Sequence, residues 1–213
     1  MQIKSKKRVT NHGEVFTAER EVNAMLDLVK QETDRIDSRF LEPACGNGNF
    51  LAEILRRKFT IVKFRYGKNA ADYERYSVVA ISSIYGIDIL QDNVIECRDR
   101  MYAIFEKEYM LNCQEEANDE TRESVRCILQ RNILCGDAQK MKTLNGEPII
   151  FSEWSIIKEC FIKRRDFQLD QISKYQLDFS NVGRCQIDET GVMVQCPIRE
   201  FPPIHYRKIP QYE

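Results

Sequence analysis

Phe40-Leu41-Glu42-Pro43-Ala44-Cys45-Gly46-Asn47-Gly48-Asn49-Phe50-Leu51 is the stretch from which the rest of this chain is read. Phe40 and Leu41 predict a short buried strand, the two glycines a turn, and Phe50, Leu51, Ile54 and Leu55 one side of a helix. Glycine takes positive φ at little cost and, lacking a Cβ, lets a ligand touch the backbone. Gly46-x-Gly48 behind a strand therefore points to a nucleotide lying across the strand's C-terminal end. A dinucleotide fingerprint needs a third glycine where this chain has Leu51, and a phosphate loop needs Gly-Lys-Ser/Thr, which is absent. A hydride-transfer cofactor is thus disfavoured.

With 213 residues, 43% apolar and 31% charged, the chain is a globular domain, not a disordered one. A formal net charge of −1 provides no global field for nucleic acid, so contact with DNA requires a local basic face or a partner. The eight cysteines include no C-x-x-C pair and no zinc spacing with His12 or His205, which predicts reduced thiols and no metal. Met1 to Thr10 is polar and basic, and no long apolar run follows; the expectation is a cytoplasmic protein with no membrane association.

In chain order, residues 1–12, with Lys4, Lys6, Lys7 and Arg8, predict a flexible N-terminal arm. Thr17 is a suitable N-cap for a helix with Glu19 and Glu21 in its first turn and Val22, Met25, Leu26 and Val29 as its stripe. The helix after Asn49 ends in Arg56-Arg57-Lys58. Residues 63–77 show no clear period and read as a surface excursion before a short helix and a strand over 83–88. Asp88, ending that second strand, is placed to accept ribose hydroxyls, with Ile89 or Leu90 against an adenine face. Helices over 91–110 and 122–131 follow, then a third strand over 132–135 running into Gly136-Asp137-Ala138. A fourth strand is expected over 148–151.

Residues 40–51 resemble the first motif of S-adenosylmethionine-dependent methyltransferases. Among these, the acidic-Pro-x-x-Gly-x-Gly-x-Phe pattern is similar to that of the adenine-specific DNA methyltransferases of restriction–modification systems. The resemblance implies S-adenosylmethionine as cofactor, Glu42 near its ammonium, and Ala44, Gly46 and Gly48 along its methionine and ribose. Gly13-Glu14-Val15-Phe16-Thr17 resembles the segment preceding that loop in the family, which implies that Phe16 and Thr17 close over the methionine end. Gly136-Asp137-Ala138 resembles the motif whose aspartate accepts from the adenine amine through a charge-assisted bond. Glu42, Asp88 and Asp137, each at a strand end, are then expected to converge on one crevice. The implied fold is α/β and Rossmann-like, with helices on both faces of a mostly parallel sheet, C-terminally incomplete.

The resemblance covers residues 13–138 and weakens beyond them. Family members that methylate an exocyclic amine end the fourth strand in Asn/Asp-Pro-Pro-Tyr/Phe, which accepts the amine hydrogens and stacks the flipped base. This chain has Ser152-Glu153-Trp154-Ser155 there, leaving Trp154 to stack a base and Ser152 or Glu153 to accept, while its Pro202-Pro203 has no Asn or Asp before it. The domain expected over 13–151 is followed by an extension, 152–213, packed on it. That extension carries Lys163-Arg164-Arg165, either a DNA-facing patch or a solvated face, and an extended segment over 190–210. The function implied is methyl transfer to an adenine amino group in DNA, with a specificity or methylase subunit as partner. A catalytically incomplete cofactor-binding subunit and a methyltransferase acting on RNA or a small molecule are the alternatives.

Overall fold

Three apolar segments, each closing on a glycine or an acid, assemble into one sheet. The computed structural model describes residues 4–12, 14–15, 17–170, 185–187 and 193–212. Three helices lead in: α1 (Lys6–His12), α2 (Glu19–Leu28) and α3 (Lys30–Thr33). The first sheet holds β1 (Phe40–Glu42), β2 (Ile84–Asp88) and β3 (Ile133–Asp137) in parallel, with β4 (Lys142–Thr143) antiparallel on β3. Between β1 and β2 run α4 (Asn49–Tyr66) and α5 (Ala70–Ser82), and between β2 and β3 run α6 (Gln91–Cys113) and α7 (Asp119–Asn132). Neighbouring parallel strands demand such long crossovers.

Strand alternation assigns the two faces of the sheet. A Cβ on Gly86 would meet Leu51 and Cys45, so this face of β2 lies under α4 and its turn, while Val94, Cys97 and Met101 of α6 join the same core. Tyr85 and Ile87 point the other way and pack with Ile149, Phe151 and Leu169. Where sequence implied a second helical layer, these described residues belong instead to the approach to a second sheet. That sheet is antiparallel: β5 (Ile150–Lys158) pairs β6 (Phe161–Gln168), and β6 also pairs β9 (Arg199–Glu200) and β10 (Ile204–His205). A separate hairpin joins β7 (Cys185–Ile187) and β8 (Met193–Gln195), and 3₁₀ turns over Tyr206–Tyr212 pack on α7. The molecule is thus mixed α/β with a parallel–antiparallel sheet and an antiparallel one.

Several elements differ from the sequence reading. Residues 63–77 are mostly helical, because α4 continues to Tyr66 and α5 starts at Ala70. Their stripe was hidden because Tyr73, Glu74 and Ser77 are polar yet buried. The strand expected at 148–151 is the start of β5 and pairs antiparallel with β6; it does not extend the parallel sheet. Ile162 to Phe167, which hold the Lys163-Arg164-Arg165 run, lie within the strand β6. Of the segment read as a flexible arm, residues 6–12 are helical. Among the described residues no helix is long and apolar enough to cross a membrane.

Candidate functional site

The turn after β1 is built by its own backbone and by one carboxylate. Cys45 N–H donates to the Ile87 carbonyl at 2.9 Å, continuing the strand pairing, and Gly46 N–H donates to Asp88 Oδ2 at 2.9 Å. Asp88 Oδ1 accepts from Leu90 N–H at 2.8 Å and from Asn93 Nδ2 at 3.2 Å. A carboxylate offers about four lone-pair sites, so these three donors leave Asp88 roughly one for a ligand. Gly46 (φ 51°) and Gly48 (φ 88°) both occupy the left-handed region. A Cβ on Gly48 would stand 2.7 Å from Cys97 Sγ, so Gly48 is needed for close packing of the turn on α6.

A cleft of about 430 Å³ opens where these strands end, within the size range of small-molecule sites. Thr17, Ala44, Gly46, Asp88, Ile89 and Asp137, all singled out from sequence, line it. Gly48 and Glu42 do not. Gly48 faces α6, and Glu42 Oε1 accepts from Ala44 N–H at 3.2 Å, fastening the turn from outside. Thr17 is not the helix cap: Ala18 takes that place, its N–H donating to Glu21 at 3.2 Å, while the Thr17 carbonyl accepts from Asn49 Nδ2 at 3.2 Å. Phe16 lies outside the described residues.

Sequence reasoning did not single out Glu14, Asn93 or Phe50, which complete the wall. Glu14 was within the quoted Gly-Glu-Val-Phe-Thr segment, but only the tertiary structure brings it to Asn93, whose Nδ2 donates to it at 2.7 Å. Arg8 of α1 donates through Nε to Glu14 at 2.6 Å and through Nη1 to Asp92 at 2.5 Å. The guanidinium holds the Glu14 carboxyl below the usual carboxylate range despite the opposing effect of burial. Lys140, through its backbone N–H and its ammonium 3.0 Å away, holds Asp137 low in the same way. A hydrogen bond with Cys97, together with burial, pushes the Cys45 thiol up, so it stands in the wall as a neutral thiol.

The lining carries three carboxylates, Glu14, Asp88 and Asp137; Arg8 compensates the first and Lys140 the last, and all three offer hydrogen-bond acceptors to a donor-rich ligand. No family model, curated protein or solved structure matches the chain.

The residues assigned to base recognition are elsewhere. Ser152 and Trp154 lie on the inner face of β5, where Trp154 Nε1 donates to Asn132 Oδ1 at 2.9 Å and Ser152 Oγ donates to Asp166 at 2.8 Å. Trp154 is 6% exposed, which leaves its indole no face for a flipped base. Glu153, on the opposite face, is held between Arg39 and Arg165. None of the three lines the cleft. Strand pairing explains the correction: the expected strand-end loop lies within the long β5–β6 ladder, and alternation turns Ser152 and Trp154 inward.

Proposed function

We propose that this chain binds S-adenosylmethionine in the cleft at the ends of β1, β2 and β3, as a Rossmann-like methyltransferase domain directed at adenine amino groups in DNA. One observation carries the reading: the Gly46 turn, Asp88 and Asp137, from the ends of three neighbouring strands, meet at one cleft. The cofactor's ribose hydroxyls and adenine amine are donors that these carboxylate acceptors can take. Its chemistry is a methyl group activated for transfer. In this reading Asp88 takes a ribose hydroxyl with its remaining acceptor site, Asp137 accepts from the adenine amine, and Ile89 packs on the ring. Ala44 and Gly46 leave room for the methionine portion.

Burial of Trp154 and Ser152 favours the second reading within this proposal, a cofactor-binding subunit that takes its base-recognition and catalytic groups from a partner. Calorimetric titration of S-adenosylmethionine into wild type, Asp88→Ala and Asp137→Asn tests the pocket. Micromolar binding, weakened at least tenfold in both variants with circular dichroism unchanged, is expected. Absence of heat from folded wild type removes the reading.

A further inference from the structure

Asn93 stands in the first turn of α6, where that helix meets the cleft, and it is 1% exposed. Its Nδ2 donates to Glu14 Oε1 at 2.7 Å and to Asp88 Oδ1 at 3.2 Å. Its Oδ1 accepts from Lys4 Nζ at 2.8 Å and from Arg8 Nη2 at 3.1 Å. An Asn amide has two donor hydrogens and two acceptor lone pairs, so all of its capacity is used. Although Asn93 borders the cleft, its side chain has nothing left to offer a ligand. Charge fixes its orientation: a flipped amide would turn its oxygen toward two carboxylates and its nitrogen toward an ammonium and a guanidinium.

The same bonds decide which acceptors remain on the two acids. Asp88 Oδ1 takes Asn93 Nδ2 and Leu90 N–H, and Glu14 Oε1 takes Asn93 Nδ2 and Arg8 Nη2. Both lone pairs of each of these oxygens are thereby filled. Among the described residues, Asp88 Oδ2 takes only Gly46 N–H, and Glu14 Oε2 only Arg8 Nε. One lone pair therefore stays open on each carboxylate, on the oxygen that Asn93 does not touch. Both acids line the cleft, and a single amide nitrogen ties them side by side. With Arg8 shielding the Glu14 charge, the pair suits two adjacent neutral donors, as a vicinal diol presents.

Resting on the nucleoside reading above, we propose that Asn93 is the positioning residue of this cleft, and that Glu14 and Asp88, set by it, take the two ribose hydroxyls, one each. Glu14 then reads the hydroxyl that Asp88, with one acceptor site left, cannot take. The segment from Lys4 to Arg8 belongs to the site without lining it, because it holds the amide from behind.

Calorimetric displacement of S-adenosylmethionine by adenosine, 2′-deoxyadenosine and 3′-deoxyadenosine is the test. Wild type should bind each deoxynucleoside about tenfold more weakly than adenosine, the loss of one charge-assisted bond. Glu14→Ala should abolish the distinction at one hydroxyl and Asp88→Ala at the other. Asn93→Ala and Lys4→Met/Arg8→Met should reduce both distinctions, whereas Ile89→Ala weakens all three nucleosides by the same factor. A merely structural Asn93 would behave like Ile89, and that result overturns the positioning role. Should Asn93→Ala not fold, the wild-type ratios and the Lys4→Met/Arg8→Met variant decide. Wild type that binds S-adenosylmethionine but treats the three nucleosides alike overturns the diol pair and leaves the cofactor reading standing. Wild type that binds none of the four removes both.

Discussion

Lys58 ties the base of the first sheet to α4. It is fully buried, and its ammonium donates to the carbonyls of Ile36 at 2.9 Å and Ser38 at 2.6 Å and to Ser83 Oγ at 2.8 Å, with the Arg35 carbonyl at 3.2 Å. It thereby fastens the chain entering β1 and the start of β2 to α4. Burial lowers its pKa to about 7, against the opposing charge of Asp37. Since the folded value lies below the unfolded value of about 10.4, the native state binds fewer protons between those limits, and stability rises with pH there. Urea unfolding should show the stability gap between wild type and Lys58→Met widening from pH 7 to pH 9.5. Lys58→Met should lose about 2–4 kcal/mol by stranding buried carbonyls, and with it this rise. Raised thiols such as Cys113 act with the opposite sign, so the difference between the two proteins is the quantity to compare. If that difference does not change with pH, the assignment to Lys58 fails.

Between elements, Glu74 does for the C-terminal turns what Lys58 does for the sheet. This α5 carboxylate, 1% exposed, accepts from Tyr109 of α6 and, at 2.8 Å, from Asn118 Nδ2 ahead of α7. It also accepts from Tyr206 Oη and Arg207 Nε, both at 2.6 Å. Burial works to raise its pKa, but these donors outweigh it and hold the carboxylate low. Four elements thus share one anion, which explains why residues 206–212 lie on α7 despite two prolines in the Pro202-Pro203 stretch before them. Glu74→Gln keeps the shape but gives up the charge-assisted bonds. Because Arg207 is one-third exposed, solvent screens part of that loss, and about 2 kcal/mol of destabilisation is expected. Limited trypsinolysis should cut after Arg207 or Lys208 faster than in wild type; equal cutting with equal stability refutes the pinning role.

Across the whole molecule, the helical layer and the second sheet are joined through Asn132. Its Nδ2 donates to the Ser82 and Ile84 carbonyls, both at 3.1 Å, and its Oδ1 accepts from Trp154. Tyr85 Oη adds a bond to the Ser152 carbonyl at 3.0 Å. With Trp154, Ile162 and Tyr206 in the same core as Leu51 and Met101, neither sheet retains a separate interior. Trp154 is the single tryptophan and reports on the second sheet, whereas far-UV circular dichroism is dominated by α4 to α7. The two signals should give coincident urea transitions in wild type. Separate midpoints would mean that the second sheet is an independent unit.

Local chemistry made much of this legible in the sequence. Glycines at 46 and 48, the acids closing β2 and β3, and the period of α6 and α7 announced a strand–turn–helix and its crossovers, because these features depend on residues near in the chain. Six of the nine expected cofactor-site positions line the cleft for the same reason. Long-range pairing was not legible. Polar residues buried by distant partners, Glu74 against Tyr206 and Lys58 against Ile36, broke the apolar period that identifies helices. Pairing of β5 with β6, 14 residues apart at Ser152 and Asp166, turned an expected base-recognition loop into core. Arg8 reaching Asp92 likewise depends on a contact that only the folded chain creates.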